Sequence, residues 1–88
     1  MDKCEKLLQK AINSPSNLRF GKICKLAECY GWVFQRQEGT SHGVYMHPAL
    51  DNTPGSLMNF QSEKGKAKTY QLRQLLSAIA ALEALKDE

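Results

Sequence analysis

Two side chains in this sequence, His42 and His47, carry the group that titrates near neutral pH without help, so proton transfer is the first chemistry to weigh. His42 stands in Gly39-Thr40-Ser41-His42-Gly43, where small polar neighbours leave the ring open to solvent and let a ligand approach the backbone. Taken locally, it is either a turn histidine with no further role or a candidate proton carrier. His47 follows Val44-Tyr45-Met46 and shares a strand face with Tyr45. The two imidazoles do not converge on one metal ion from a regular strand, and no cluster of Cys, His, Asp or Glu has ligand spacing. Ser41 and His42 are neighbours that point to opposite strand faces, so they make no nucleophile pair. Neither a metal centre nor serine-hydrolase chemistry is expected.

The cations are the second resource. The 88-residue chain has 12 Lys plus Arg against 9 Asp plus Glu, and a net charge of +3 does not by itself imply a nucleic-acid partner. The distribution is uneven. Residues 1–31 are richest in basic side chains, and residues 32–60 contain only Arg36. Towards the end, Lys64, Lys66, Lys68 and Arg73 lie together while Glu83, Asp87 and Glu88 collect beyond them. The 64–73 cluster reads as the basic patch, either a solvated turn before a helix or a surface for phosphate.

The elements that must position these groups follow from apolar periodicity. Cys4, Leu7, Leu8, Ala11 and Ile12 recur at helical spacing and predict a helix over 2–13, which Asn13-Ser14-Pro15-Ser16-Asn17 breaks. Phe20, Ile23, Cys24, Ala27 and Tyr30 repeat the period over 20–30, and Gly31 stands where a left-handed residue closes a helix. The period then changes to two, predicting strands at 32–37, 44–47 and 57–60 separated by Gly- and Pro-containing turns. A polar loop over 62–68 follows, and Leu72, Leu75, Leu76, Ile79 and Leu82 form the stripe of a last helix over 69–86, capped by Thr69. The expected fold is α+β in the order α-α-β-β-β-α: a two-layer single domain over 1–88 with a three-stranded antiparallel sheet packed on helices.

Composition sets the outer bounds. With 42% hydrophobic and 24% charged residues the chain is expected to fold around one core rather than remain disordered, and it lacks the roughly 18-residue apolar run of a membrane span. No secretory leader is readable at the N-terminus, so a cytoplasmic protein is expected, and Cys4, Cys24 and Cys29 read as reduced thiols. There is no Gly-rich nucleotide loop and no internal repeat.

The residues also resemble a known pattern. Gly31-Trp32, Arg36-Gln37, Gly39-Thr40-Ser41-His42, Tyr45-Met46-His47-Pro48, Lys64-Gly65-Lys66 and Leu72-Arg73-Gln74-Leu75-Leu76 are similar to the HicA (YcfA-like) toxin family over roughly 18–82, with 1–13 as an extra N-terminal helix. The chain reads Gly43 where a second His commonly follows the first, and Asn59-Phe60-Gln61 where many members carry Pro-x-His. The resemblance implies a double-stranded-RNA-binding-domain-like fold and a ribosome-independent, metal-independent mRNA interferase that needs no cofactor. It further implies mRNA as substrate and a HicB-like antitoxin as partner. The family's catalytic histidine falls on His42. RNA carries its own nucleophile, the 2′-hydroxyl, so cleavage needs a base, cationic stabilisation of the phosphorane and an acid for the leaving oxygen. His42 is the candidate base; Arg36, Ser41, Lys64, Lys66, Lys68 and Arg73 are candidate RNA contacts; Tyr45 and His47 are candidate acids or supports. The alternatives are a non-catalytic RNA-binding module of the same fold, and a protein-interaction domain anchored by Trp32, Tyr45 and Phe60.

Overall fold

A computed structural model describes residues 2–38, 42–50 and 56–86. Helix α1 (Lys3–Asn13) begins at Asp2, whose carboxylate accepts the Glu5 amide at 2.8 Å, and a 3-10 turn (Pro15–Asn17) leads to α2 (Phe20–Cys29). The strands are β1 (Val33–Glu38), β2 (His42–Met46), β3 (Leu57–Glu63) and β4 (Lys66–Ala67), with a 3-10 turn (Pro48–Leu50) after β2, and α3 (Thr69–Lys86) ends the described chain. The sheet is antiparallel throughout, in the order β1-β2-β3-β4.

The architecture is α+β, as the periodicity predicts, but the described sheet has four strands rather than three. The polar stretch read as a loop over 62–68 instead extends β3 and forms β4. Lys64 (φ 53°) and Gly65 (φ 81°) both take positive φ, the geometry of a two-residue hairpin turn matched to strand twist. A further cause lies far off in sequence. The segment before α2 runs beside β4, with Ala67 N–H donating to Leu18 O (2.9 Å) and Phe20 N–H donating to Gly65 O (3.1 Å). The second of these bonds satisfies an N-terminal amide of α2, which has no side-chain cap.

The core forms where the helices meet one face of the sheet. Trp32, Phe60, Leu18, Ile23, Leu72 and Leu75 are its largest fully buried side chains together with Leu26. Gly31 closes α2 as its position predicts: with φ 104° it donates to Glu28 O while Trp32 N–H reaches back to Ala27 O, a Schellman arrangement. The predicted stripe of α1 is buried less deeply, since only Ala11 is fully enclosed and Ile12 is half exposed.

The reading of all three cysteines as reduced thiols is corrected. Cys4, in the first turn of α1, and Cys29, at the end of α2, form a disulfide across a Cα–Cα distance of 5.8 Å, and Cys24 is the free thiol. The two helices run antiparallel through the Pro15–Asn17 turn, which brings opposite ends of a 25-residue separation together. No helix among the described residues is long and apolar enough to cross a membrane.

Candidate functional site

Register decides what surrounds His42. In β2, His42 pairs with Glu38 of β1 and Gln61 of β3, Gly43 with Gln37 and Phe60, Val44 with Arg36 and Asn59, and Tyr45 with Phe34 and Met58. Phe60 and Met58 are buried against the helices, so Gly43 and Tyr45 lie on the core face; alternation places His42, Val44 and Met46 on the face turned away. The one irregularity lies in β1 between Phe34 and Arg36, and it leaves the β2 alternation intact. His42 is therefore a strand residue at the start of β2, and it is partly exposed.

The same register sorts the candidate RNA contacts. Arg36 pairs with Val44 and sits diagonally across from His42 on its face, within reach of a long side chain. Lys66 pairs with Glu63, two positions beyond Gln61, so it lies on that face as well, one strand further out. Lys64 is at the exposed apex of the β3–β4 turn. Lys68 leaves β4 and places its Nζ 6.0 Å from the centroid of the Tyr70 ring. Arg73 belongs elsewhere: it lines a groove between α3 and the Leu57–Met58 end of β3, about 13 Å along the strand from Gln61. Ser41, with Gly39 and Thr40, lies outside the described residues. The structure thus brings Arg36, His42 and Lys66 onto one face and leaves Arg73 off it.

A cleft of about 220 Å³ opens beside His42, lined also by Phe20, Cys24, Phe34, Gln37, Gly43 and Tyr45. Its wall is aromatic, with Phe34 edge-on to Tyr45 at 5.5 Å and Tyr45 tilted on Phe60 at 5.5 Å. Gly43 keeps the wall open at this point, because a Cβ there would stand 3.2 Å from the Tyr45 ring.

Tyr45 and His47, the candidate acids or supports, are both engaged with neighbouring groups. Tyr45 is buried beside Cys24 and Glu28; burial first, then these neighbours, push its phenol well above the usual range. The same burial raises the Cys24 thiol. His47 is buried on the core side of the chain, edge-on to Trp32 at 4.6 Å. Its Nδ1 accepts the Ala49 amide at 3.1 Å, which assigns the proton to Nε2, and Nε2–H donates to Tyr30 O at 2.8 Å. Tyr30 is the C-cap of α2, so His47 satisfies a helix-end carbonyl and holds the end of β2 against it. Both residues serve as supports within the fold: Tyr45 forms part of the wall of the cleft beside His42, and His47 lies at the other end of β2.

Sequence reading missed three features. Gln71 of α3 is buried, and its Oε1 accepts the Gln61 amide at 2.7 Å, fixing the β3 backbone at the residue paired with His42. The Cys4–Cys29 bridge is the second. The third is a groove between α1 and α2 lined by Lys3, Lys6, Lys10, Lys22 and Lys25, a denser cluster than 64–73. Helical spacing signals each lysine row, but nothing in the sequence says that the rows face one another.

Among the described residues, no group of three or more His, Cys, Asp or Glu could hold a metal ion. Compared with known proteins, the chain matches no family model, no curated protein and no solved structure.

Proposed function

We propose that this protein acts on RNA as a metal-independent endoribonuclease, an mRNA interferase of the HicA-like kind, with His42 as the base that takes the 2′-hydroxyl proton. The observation that carries this reading is the shared face of His42, Arg36 and Lys66, which sets one imidazole between two cations. A phosphate held by Arg36, diagonally across from His42, would bring its neighbouring ribose to the imidazole and have its developing charge stabilised there, while Lys66, further across the sheet, would meet another phosphate of the same strand. With Tyr45 and His47 engaged in the fold, water supplies the leaving-group proton. Lys64 adds attraction at the hairpin apex.

The same face offers a partner surface. Val33, Met46 and Leu57 pair across three strands and are about half exposed, forming an apolar row on the same face at the far end of β2 from His42. A HicB-like antitoxin seated there would cover row and imidazole together. The aromatic anchors of the protein-interaction reading, Trp32, Tyr45 and Phe60, are buried and unavailable to a partner.

The second reading is a non-catalytic RNA-binding module of this fold, favoured by the single imidazole on the face. A defined mRNA incubated with EDTA and either wild type or His42→Ala separates the two. Fragments from wild type alone support the ribonuclease; intact RNA retained by both proteins supports the module.

A further inference from the structure

The cluster of positive charge nearest to forming a recess lies on the helix layer, away from the His42 face. Lys3, Lys6 and Lys10 recur at i, i+3 and i+7 on α1, Lys22 and Lys25 at i and i+3 on α2, and the two rows line one groove of about 260 Å³ with Leu7. All five lysines are exposed and no carboxylate lines the groove. Three acidic groups lie on another surface, where Asp2, Glu5 and Glu83 line a separate cleft with Cys4, Cys29 and Tyr30, and Glu28 of α2 stands near Cys24 and Tyr45. Five lysines bordering one recess concentrate positive charge at its rim, and an anion that bridges both rows relieves their repulsion.

We infer that the α1–α2 groove binds the phosphodiester backbone of a nucleic acid and that the Cys4–Cys29 disulfide preorganises it. The lysine row on α1 spans roughly 10 Å from Lys3 to Lys10, long enough for more than one phosphate of a strand. A recess with two charged walls fits a ridge of phosphates, whereas an anionic bilayer presents a flat surface to which this groove is not complementary. Leu7 is the only apolar side chain in the lining, too little to anchor a peptide. The bridge matters because α1 is otherwise held loosely, with Ala11 its only fully buried residue. Cys4 lies next to Lys3, and Cys29 follows Lys25 by one helical turn, so the covalent tie fixes the spacing of the two lysine rows. This inference does not depend on catalysis by His42.

The test uses full-length protein carrying His42→Ala, so that no cleavage interferes, with a fluorescein-labelled 20-nucleotide RNA and the DNA of the same sequence. Affinity is read by anisotropy across a salt series. Both probes are expected to bind, since the backbone is the shared chemistry. The triple variant Lys3→Gln, Lys6→Gln and Lys10→Gln is expected to weaken binding about tenfold and to flatten the log–log salt dependence by about 0.7 per lost contact. Reduction of the disulfide, or Cys4→Ser with Cys29→Ser, is expected to weaken binding severalfold with no charge removed. Far-ultraviolet circular dichroism confirms that each variant is folded, and protection of these five lysines from acetylation by bound RNA gives a readout on unmutated lysines. An unchanged salt slope in the triple variant, or unprotected lysines, overturns the site. Unchanged affinity on reduction overturns the role of the bridge. Binding to vesicles of anionic phospholipid without binding to either nucleic acid overturns the assignment of ligand. Loss of cleavage in His42→Ala alongside intact binding separates this site from the proposed catalytic one.

Discussion

At the scale of single residues, the two histidines stand in different surroundings, His42 partly exposed at the start of β2 and His47 buried. His47 is held through both ring nitrogens, to Tyr30 O and to the Ala49 amide, and Gly31 faces the ring so closely that a Cβ would stand 2.6 Å from Nε2. Gly31→Ala, at φ 104°, is therefore expected to cost about 2–4 kcal/mol through backbone strain and displacement of His47, read as a lowered chemical-denaturation midpoint. Gln71→Ala leaves the Gln61 amide without its acceptor and is expected to cost about 1–3 kcal/mol; Gln71→Glu, which keeps an acceptor, should retain most of the stability. Tyr45 predicts an alkaline response. Burial raises its folded pKa above the ordinary 10.0, so the neutral phenol contributes stability fully below pH 10, and that contribution is lost as the unfolded chain ionises above it. Denaturation midpoints measured from pH 9 to 11 should fall less steeply in Tyr45→Phe than in wild type. The small polar neighbours of His42 suggest a turn, whereas the structure makes it the first residue of β2, and the internal roles of Tyr45 and His47 depend on Cys24, Trp32 and Tyr30, contacts that no local pattern encodes.

At the scale of elements, local chemistry announces what it determines locally. Gly31 marks the end of α2 because a left-handed residue is needed there, and the Leu72, Leu75, Ile79 and Leu82 stripe marks α3 because those residues meet the sheet. The β3–β4 hairpin escaped because its turn is Lys64-Gly65 rather than an Asn-Gly or Asp-Gly pair, and because β4 is held from its other side by Leu18 and Phe20. Gly65→Ala should consequently destabilise the protein, since φ 81° there excludes an ordinary side chain without strain. The α1–α2 bridge was illegible for the same reason: 25 residues separate Cys4 from Cys29, and only the antiparallel return of α2 makes them neighbours. Closing a loop of that length is worth on the order of 3 kcal/mol. Reduction should lower the melting temperature by about 10 °C or more for a domain of this size, and an unchanged melting curve would show that the bridge adds nothing to the stability of the fold.

At the scale of the whole molecule, charge is distributed over two separate surfaces. Arg36, His42 and Lys66 share the sheet face turned away from the helices, and five lysines line the groove between α1 and α2. The net charge of +3 conceals this arrangement because Asp2, Glu5 and Glu83 are gathered elsewhere. If the proposed function holds, a polyanion is engaged by its backbone rather than by base edges, so sequence preference should be weak and salt dependence steep. The proposed cleavage, in contrast, would depend on one group of the polyanion, the 2′-hydroxyl. The most direct test is incubation of wild type and His42→Ala, in EDTA, with an RNA and with the same strand made 2′-deoxy throughout, followed by analysis of product ends. The account predicts fragments ending in 2′,3′-cyclic phosphate from RNA with wild type only. Cleavage of the deoxy strand, or equal cleavage of RNA by His42→Ala, would contradict it.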